Sequence, residues 1–578
     1  MSTVRLLRRL LRPYRRLIAL LVVLLVIQTA GTLYLPTLNG DIINNGVVTG
    51  HLTYIISTGE WMLLLSAVVG VLSIAGVYLA SRVAMGAGAD LRRDIFTRVQ
   101  QFSTRNVNHF GTASLITRNT NDVQQVQIFV QVALTMMVVA PIMAVGGVIM
   151  AIREGPTLST LLLVSIPVMA TVLGVVMRRV IPQFRSMQVK IDTLNRVLRE
   201  QITGVRVIRA FVRGPFEARR FLAANEDLTG TALRVNRVFA FMLPSMMLVL
   251  NLSSVAVVWF GGRLVSEGAM PIGNLTAFLT YILQILMSVM MAVMVAILVP
   301  RAAASAERIE EVLTTGPDVT SPVSPRRPSR LDGSLRLEGV SFSYPGSERP
   351  VLEDVTLTLE PGSTNALIGG TGSGKTTLVN LIPRFFDASR GRVLVNDVPV
   401  EEQNLEDLWR TLGLVPQNAF LFSGTVASNL RLGRPDASEE DLWRALGIAQ
   451  AREFVEQFPG GLEAPIDQGG TNVSGGQRQR LCIARALVTT APLLLFDDCF
   501  SALDARTDAR LREALRESLS DTTLLIVAQR VSTIIEADHI IVLDEGRVVG
   551  EGRHQELLAT CPTYREIALS QLGEEALG

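Results

Sequence analysis

The sequence predicts a multi-domain chain: a six-helix all-α transmembrane domain with long cytoplasmic helical extensions, then a soluble α/β domain. Three observations predict it. Hydrophobic residues make up 48% of the 578 residues and mean hydropathy is +0.36, high for a soluble protein. Six apolar runs of membrane-spanning length fill the first half. After Arg308 the pattern changes to short strands, short helices and a glycine-rich loop.

The N-terminal segment, 1–16, carries Arg5, Arg8, Arg9, Arg12, Arg15 and Arg16 among leucines. This pattern predicts a basic amphipathic helix on the membrane surface. The run from Leu17 to Leu38 is too long for the apolar core of a signal peptide and matches a span of ~20 residues. Five further runs lie near 61–81, 127–152, 157–177, 238–262 and 272–299, none with a charged residue in its interior. A proton relay through the spans is therefore not supported.

The connections near 39–60, 153–156 and 263–271 are short and hold only Arg153 and Arg263 as basic residues. Those near 82–126 and 178–237 are long and Arg-rich, the second with Arg178, Arg179, Arg185, Arg206, Arg209, Arg213, Arg219 and Arg220. The positive-inside rule places these loops and the N-terminus in the cytoplasm, and the chain as a multi-pass protein of the cell (inner) membrane. Their patterning predicts helices that continue the spans into the cytosol.

The expected domains are 1–16, the membrane domain 17–312, a linker 313–333 and a second domain 334–578. The stretch from Thr314 to Ser334 is rich in Pro and Ser, a linker composition. In LRLEGVSFSY the alternation of Leu335 and Leu337 changes phase at Gly339 before Val340, Phe342 and Tyr344, which predicts a strand with a bulge. Net charge is only +2, so no global field points to nucleic acid. Cys482, Cys499 and Cys561 lack metal-ligand spacing and read as reduced packing residues.

Within TNALIGGTGSGKTTLVNLI, the loop Gly369, Gly370, Thr371, Gly372, Ser373, Gly374, Lys375, Thr376, Thr377 has the spacing G-x-x-x-x-G-K-T. An apolar strand precedes it and an amphipathic helix follows, the context this motif requires. Its glycines let backbone N–H groups wrap phosphate oxygens, and the helix N-terminus adds positive potential. Lys375 is placed to reach the β/γ-phosphates and Thr376 to hold Mg²⁺. Lys375 is one of two lysines in a chain that otherwise uses Arg, as expected where a planar guanidinium would not fit a phosphate cradle.

LLLFDD reads as a buried parallel strand that ends in Asp497, the second Mg²⁺ partner. The two motifs predict an α/β P-loop domain that binds Mg–ATP or Mg–GTP. In NVSGGQRQRLCIARAL, Ser474 and Gln477 have capping-box spacing at a helix start, and that N-terminus is another anion site. By itself the segment is equally a plain helix start.

Together these residues resemble the ATP-binding cassette (ABC) superfamily, over the whole chain. VSGGQ, containing Ser474, Gly475, Gly476 and Gln477, resembles the family signature. SALD, ending in Asp504, resembles its D-loop. Gln417 resembles the Q-loop glutamine, a catalytic and Mg²⁺-site position, and Tyr344 the aromatic residue that stacks on adenine. Six spans before one nucleotide-binding domain, with HFGTASLITRNTNDV and VIRAFVRGPFEARRF in the long loops, look like an exporter-type half-transporter. The resemblance implies ATP and Mg²⁺ as cofactors. It also implies two chains head to tail, each ATP lying between one P-loop and the other chain's signature, with the long loops docked on the nucleotide domains.

Three positions depart from the family pattern. The residue after the Mg²⁺ aspartate is Glu in active members and is Asp498 here. The switch histidine is Gln529, and Gln468 stands where relatives often carry Glu. A general base must lie within about 2.6–3.2 Å of its target. One methylene fewer withdraws the carboxylate by ~1 Å, and such a misplacement can cost ~10²-fold in rate. Gln can hydrogen-bond a phosphate but cannot change charge.

The expectation is a site that binds ATP and hydrolyses it poorly, in a heterodimer whose partner half-transporter brings an intact Glu and His. Met136, Met137, Met143, Met242, Met246, Met247, Met287, Met290, Met291 and Met294, with the polar Gln28, Asn251 and Gln284, fit an adaptable cavity for hydrophobic compounds, drugs or lipids. For any single Met, ordinary helix packing is the simpler reading. The alternatives are a lipid flippase or importer of the same build, and a regulatory ATP-binding subunit without its own turnover. The six spans exclude a soluble chromosome-maintenance ATPase.

Overall fold

A computed structural model describes residues 2–572. Met1 and the last six residues of the expected second domain, 573–578, lie outside the described residues. The chain divides into two compact units, Met1–Gln100 with Gly111–Thr315, and Gln101–Phe110 with Gly316–Gly578.

The first unit is all helical. The N-terminal helix α1 (Ser2–Leu11) buries Leu6 and Leu10 and leaves Arg5, Arg8 and Arg9 exposed. Next come α2 (Arg15–Asp41) and α3 (Leu52–Gln100). Two short helices, α4 (Thr104–Phe110) and α5 (Thr112–Thr117), lead into α6 (Val123–Glu154). The rest are α7 (Leu162–Thr203), α8 (Val205–Ala210), α9 (Gly214–Ser266) and α10 (Ile272–Thr314).

Six of these helical stretches are long and apolar enough to cross a membrane. At 1.5 Å per residue the 49 residues of α3 reach about 74 Å, more than twice a ~30 Å hydrocarbon core. At its C-terminal end, from 82 to 100, the excess is the extension that the Arg-rich patterning predicts. Leu63, Leu163 and Trp259 are each 74% exposed or more. Large apolar side chains standing that far out are stable against lipid rather than water. Prolines at 36, 141, 167, 182, 244 and 300 lie inside these helices, as membrane helices tolerate.

Polar contacts tie the bundle at both ends. At one end Thr37 donates to Glu154 at 2.9 Å and lies 2.7 Å from the Tyr281 hydroxyl, which donates to the Leu33 carbonyl at 2.8 Å. At the other, a π-helical turn over Arg118–Asp122 buries Asp122. It accepts from Ser305 at 3.0 Å and from Arg308 Nε at 2.8 Å. Arg118 pairs with Glu311 at 2.7 Å.

The second unit opens on strand β1 (Leu335–Phe342), which pairs antiparallel with β2 (Leu352–Leu359) and β4 (Arg390–Val395). The register shifts between Leu337 and Val340, where Gly339 has φ +59°, so the bulge lies where the hydrophobic phase changes. The four-stranded order is β2-β1-β4-β5, with β5 at Val398–Pro399.

The second sheet joins β3 (Thr364–Ile368), β6 (Leu412–Val415), β9 (Leu493–Asp497), β10 (Thr523–Val527), β11 (His539–Asp544) and β12 (Arg547–Gly552) in the order β12-β11-β3-β10-β9-β6. A separate pair is formed by β7 (Gly424–Thr425) and β8 (Pro465–Ile466). All neighbours in the six-stranded sheet are parallel except β11 and β12. Strands β9 and β10 are buried throughout, as their unbroken apolar runs require. The chain turns out of β3, β9 and β10 at their carboxyl ends, where α/β sheets place their ligands. The three cysteines are buried and free.

Candidate functional site

The loop after β3 leads into α11 (Lys375–Leu381). Gly374 caps that helix with φ +103°, in the left-handed region open to glycine. Gly369 has a different reason: a Cβ there would stand 2.0 Å from the Leu543 carbonyl oxygen. At Gly370 a Cβ would meet nothing within 4 Å. Lys375 is buried, and its ammonium donates to the carbonyls of Gly369 (2.8 Å) and Gly370 (2.6 Å). Burial lowers its pKa, partly offset by Asp498 and Asp497.

Thr376 Oγ1 donates to Asp497 Oδ1 at 3.2 Å. The hydroxyl and the carboxylate therefore converge from α11 and from the end of β9. Burial raises the pKa of Asp497, against the pull of the Thr376 bond. Asp498 turns away from the strand with φ +50°, a conformation that Asp tolerates better than most residues. Its Oδ2 accepts from Gln529 Nε2 at 2.7 Å, and Gln417 Nε2 approaches at 3.4 Å. Burial raises the pKa of Asp498 as well.

These side chains line one pocket of about 300 Å³ with Thr371, Gly372, Gly374 and Thr377; Val351 and Val527 complete it. Neither valine carried a sequence signal beyond being apolar. Val527 belongs there because it is the last residue of β10, two before Gln529. Tyr344 lies outside this pocket. Its hydroxyl is 3.1 Å from Thr377 Oγ1.

Ser474 caps the helix Gly475–Val488. Its Oγ accepts from the Gln477 N–H at 3.3 Å, and Gln477 Oε1 accepts from the Ser474 N–H at 3.0 Å. The capping box is complete. None of Ser474, Gly475, Gly476 and Gln477 lines the P-loop pocket. Asp504 caps the next helix, Ala505–Ser518, by accepting from Thr507 N–H at 3.0 Å. That bond holds its carboxyl below the usual range. Gln468 opens a short turn in which Gly469 has φ +75°.

The residues present suit a magnesium nucleotide. A hydroxyl and a carboxylate are hard oxygen ligands of the kind Mg²⁺ takes alongside substrate phosphates. Glycine at 369, 370, 372 and 374 leaves the loop's backbone bare at those positions, as a phosphate cradle requires.

The fold and the loop define an ATP-binding cassette half-transporter, a membrane domain fused to a nucleotide-binding domain, and this chain belongs to the ABC transporter family. The family's transmembrane region matches residues 18–289 and its ATP-binding region residues 352–501. An uncharacterized ABC transporter ATP-binding protein of Mycobacterium tuberculosis is 47% identical over 98% of both chains. The ATP-dependent lipid A-core flippase of Pseudomonas fluorescens Pf-5 is 34% identical over 89% of this chain and 85% of its own length. In structure the chain resembles a bacterial Atm1-family ABC exporter with ATP bound. The TM-score is 0.81 at 23% identity, covering 97% of this chain and 99% of the other. The protein is thus a multi-pass membrane transporter subunit whose nucleotide-binding domain is cytoplasmic.

Proposed function

We propose that this chain is one subunit of a heterodimeric ATP-driven transporter for hydrophobic or amphipathic compounds, drugs or lipids. Its own site holds Mg–ATP and hydrolyses it poorly. The observation that carries this is the carboxylate of Asp498, one methylene short and engaged by two neutral amides, Gln529 and Gln417. A general base needs a free lone pair aimed at its proton. Here both amides fix the direction of the carboxylate, and the missing methylene withdraws it from an attacking water.

Lys375 and the loop from Gly369 to Thr377 hold the phosphates, Tyr344 stacks on the base, and Thr376, Asp497 and Gln417 hold the metal. When bound, Mg²⁺ neutralises charge on the β- and γ-phosphates. Gln529 offers a γ-phosphate a hydrogen bond but no proton. Ser474, Gly475, Gly476 and Gln477, capped and outside this chain's own P-loop pocket, complete the partner's site, with Asp504 alongside. The partner supplies Glu and His. An exposed tip around α8, with Val207, Phe211 and Val212 each at least 60% exposed, supports docking on a second chain. Such a patch is costly in water and lies in the Arg-rich cytoplasmic loop.

Lipid transport is favoured among substrates by the flippase relative. The test is steady-state ATPase of the purified chain, alone and co-purified with its membrane partner. Low turnover alone and high turnover together is expected. Robust turnover by the isolated chain, abolished by Lys375→Ala, overturns the reading.

A further inference from the structure

Residues 101–110 fall, in sequence, between the second and third membrane helices, yet they fold as part of the second unit. Ser103 and Asn106 fix their geometry. Asn106 Oδ1 accepts from the Ser103 N–H at 3.1 Å and from its hydroxyl at 2.9 Å, and the Ser103 Oγ accepts from the Asn106 N–H at 3.3 Å. Asn106 is buried and occupied by this turn. Arg105 Nε lies 3.6 Å from Asp318 Oδ2.

This segment walls a cavity of about 540 Å³ together with Tyr344 and Phe386; Arg105, Asn108, His109 and Asp318 are its polar lining. The Tyr344 ring stands 85° to Phe342 and 87° to Phe386, and the residue is 36% exposed. No described ring is stacked on it. Its hydroxyl, 3.1 Å from Thr377 Oγ1, marks where this cavity meets the phosphate pocket that Thr377 also lines.

We propose that Asn108 and His109 bind the edge of the nucleobase, so that a loop of the membrane domain supplies part of the purine nucleotide site. The proposal rests on the phosphate site and the stacking role of Tyr344 given above. A nucleotide with its phosphates over Lys375 and its base on Tyr344 directs the base edge into this cavity. A purine edge presents both donors and acceptors. An amide and a neutral imidazole each carry both. Arg105 and Asp318 face each other and serve as the rim. Both Asn108 and His109 are exposed at the cavity, so truncating them leaves no void in the core.

The test measures binding of Mg–ATP and of magnesium tripolyphosphate to the purified full-length chain. Variants are Asn108→Ala/His109→Ala, Tyr344→Ala and Lys375→Ala. Two hydrogen bonds at about 0.5–1.5 kcal/mol each predict a roughly 5- to 150-fold loss of ATP affinity in the double variant. Its tripolyphosphate affinity should be unchanged, while Lys375→Ala weakens both ligands. Wild-type ATP affinity in the double variant, with Tyr344→Ala weakened, overturns this proposal and leaves the stacking assignment standing. Wild-type affinity in both overturns the proposal and the stacking assignment together. Equal loss of ATP and tripolyphosphate in the double variant overturns it too, since the effect then acts on the fold rather than on the base.

Discussion

Gln529 donates its side-chain amide to Asp498 Oδ2 at 2.7 Å. The two residues leave adjacent parallel strands, β10 and β9. The substitution at the switch position and the substitution at the base position therefore meet in one hydrogen bond. The acid at the base position is thus held by an amide that carries no charge.

The first prediction is an asymmetry within this one chain. Asp498→Asn keeps the size and removes a carboxylate that is not acting as base, so ATPase of the co-expressed pair should stay within about threefold. Gly476→Asp has room in its own fold, because a Cβ there meets only Ala502 O at 3.4 Å and Leu503 Cδ2 at 3.7 Å. The added charge sits at a helix N-terminus that the partner's γ-phosphate would use, and like charges in a poorly solvated interface repel. Turnover should nearly vanish. Equal loss in both variants would make Asp498 a working base.

The isolated chain should gain activity from Asp498→Glu/Gln529→His. A correctly placed base and a titratable switch partner are together worth at least ~10-fold, read as steady-state ATPase against a Lys375→Ala control. Glu is less at ease than Asp at φ +50°. The double variant should therefore also melt earlier, by an amount corresponding to about 1 kcal/mol. No gain in turnover from a folded double variant would place the defect elsewhere in the site.

Gly369→Ala and Gly370→Ala should separate sharply. A methyl at Gly369 meets the Leu543 carbonyl oxygen at 2.0 Å, whereas at Gly370 the space is open. Gly369→Ala should cost several kcal/mol of stability or prevent folding, within the range for overpacked or strained sites. Gly370→Ala should shift stability by less than about 1 kcal/mol. Thermal unfolding in detergent decides it.

Metal-dependent nucleotide binding should weaken on acidification sooner than an ordinary aspartate would cause. Mg²⁺ needs Asp497 ionised, and burial raises that group's pKa in the metal-free protein. Protons therefore compete with the metal starting above the usual aspartate range of about 3.9. The advantage of Mg–ATP over ATP with chelator is fully present well above the raised pKa and is lost as pH falls through it. Asp497→Asn should flatten that dependence. A ratio of affinities that is flat with pH in the unmutated chain contradicts the assignment.

The sequence by itself determined the features that are written locally. Six uninterrupted apolar runs, the strand–loop–helix around Lys375, the phase change at Gly339 and the spacing of Ser474 and Gln477 each lie within one short stretch. Backbone satisfaction in lipid, glycine geometry and cap chemistry leave such stretches little choice. Identities alone also pointed to Asp498 and Gln529 as departures from a pattern. Only the tertiary structure decided that Gln417, Asp498 and Gln529 share one oxygen, because they lie 81 and 31 residues apart and meet through the parallel register of the sheet. It alone buried Asp122 beside Arg308, 186 residues away. It also assigned residues 101–110 to the second unit, although their sequence neighbours are membrane helices. Contacts of that range depend on which surfaces pack together, and no periodicity within a single segment encodes that choice.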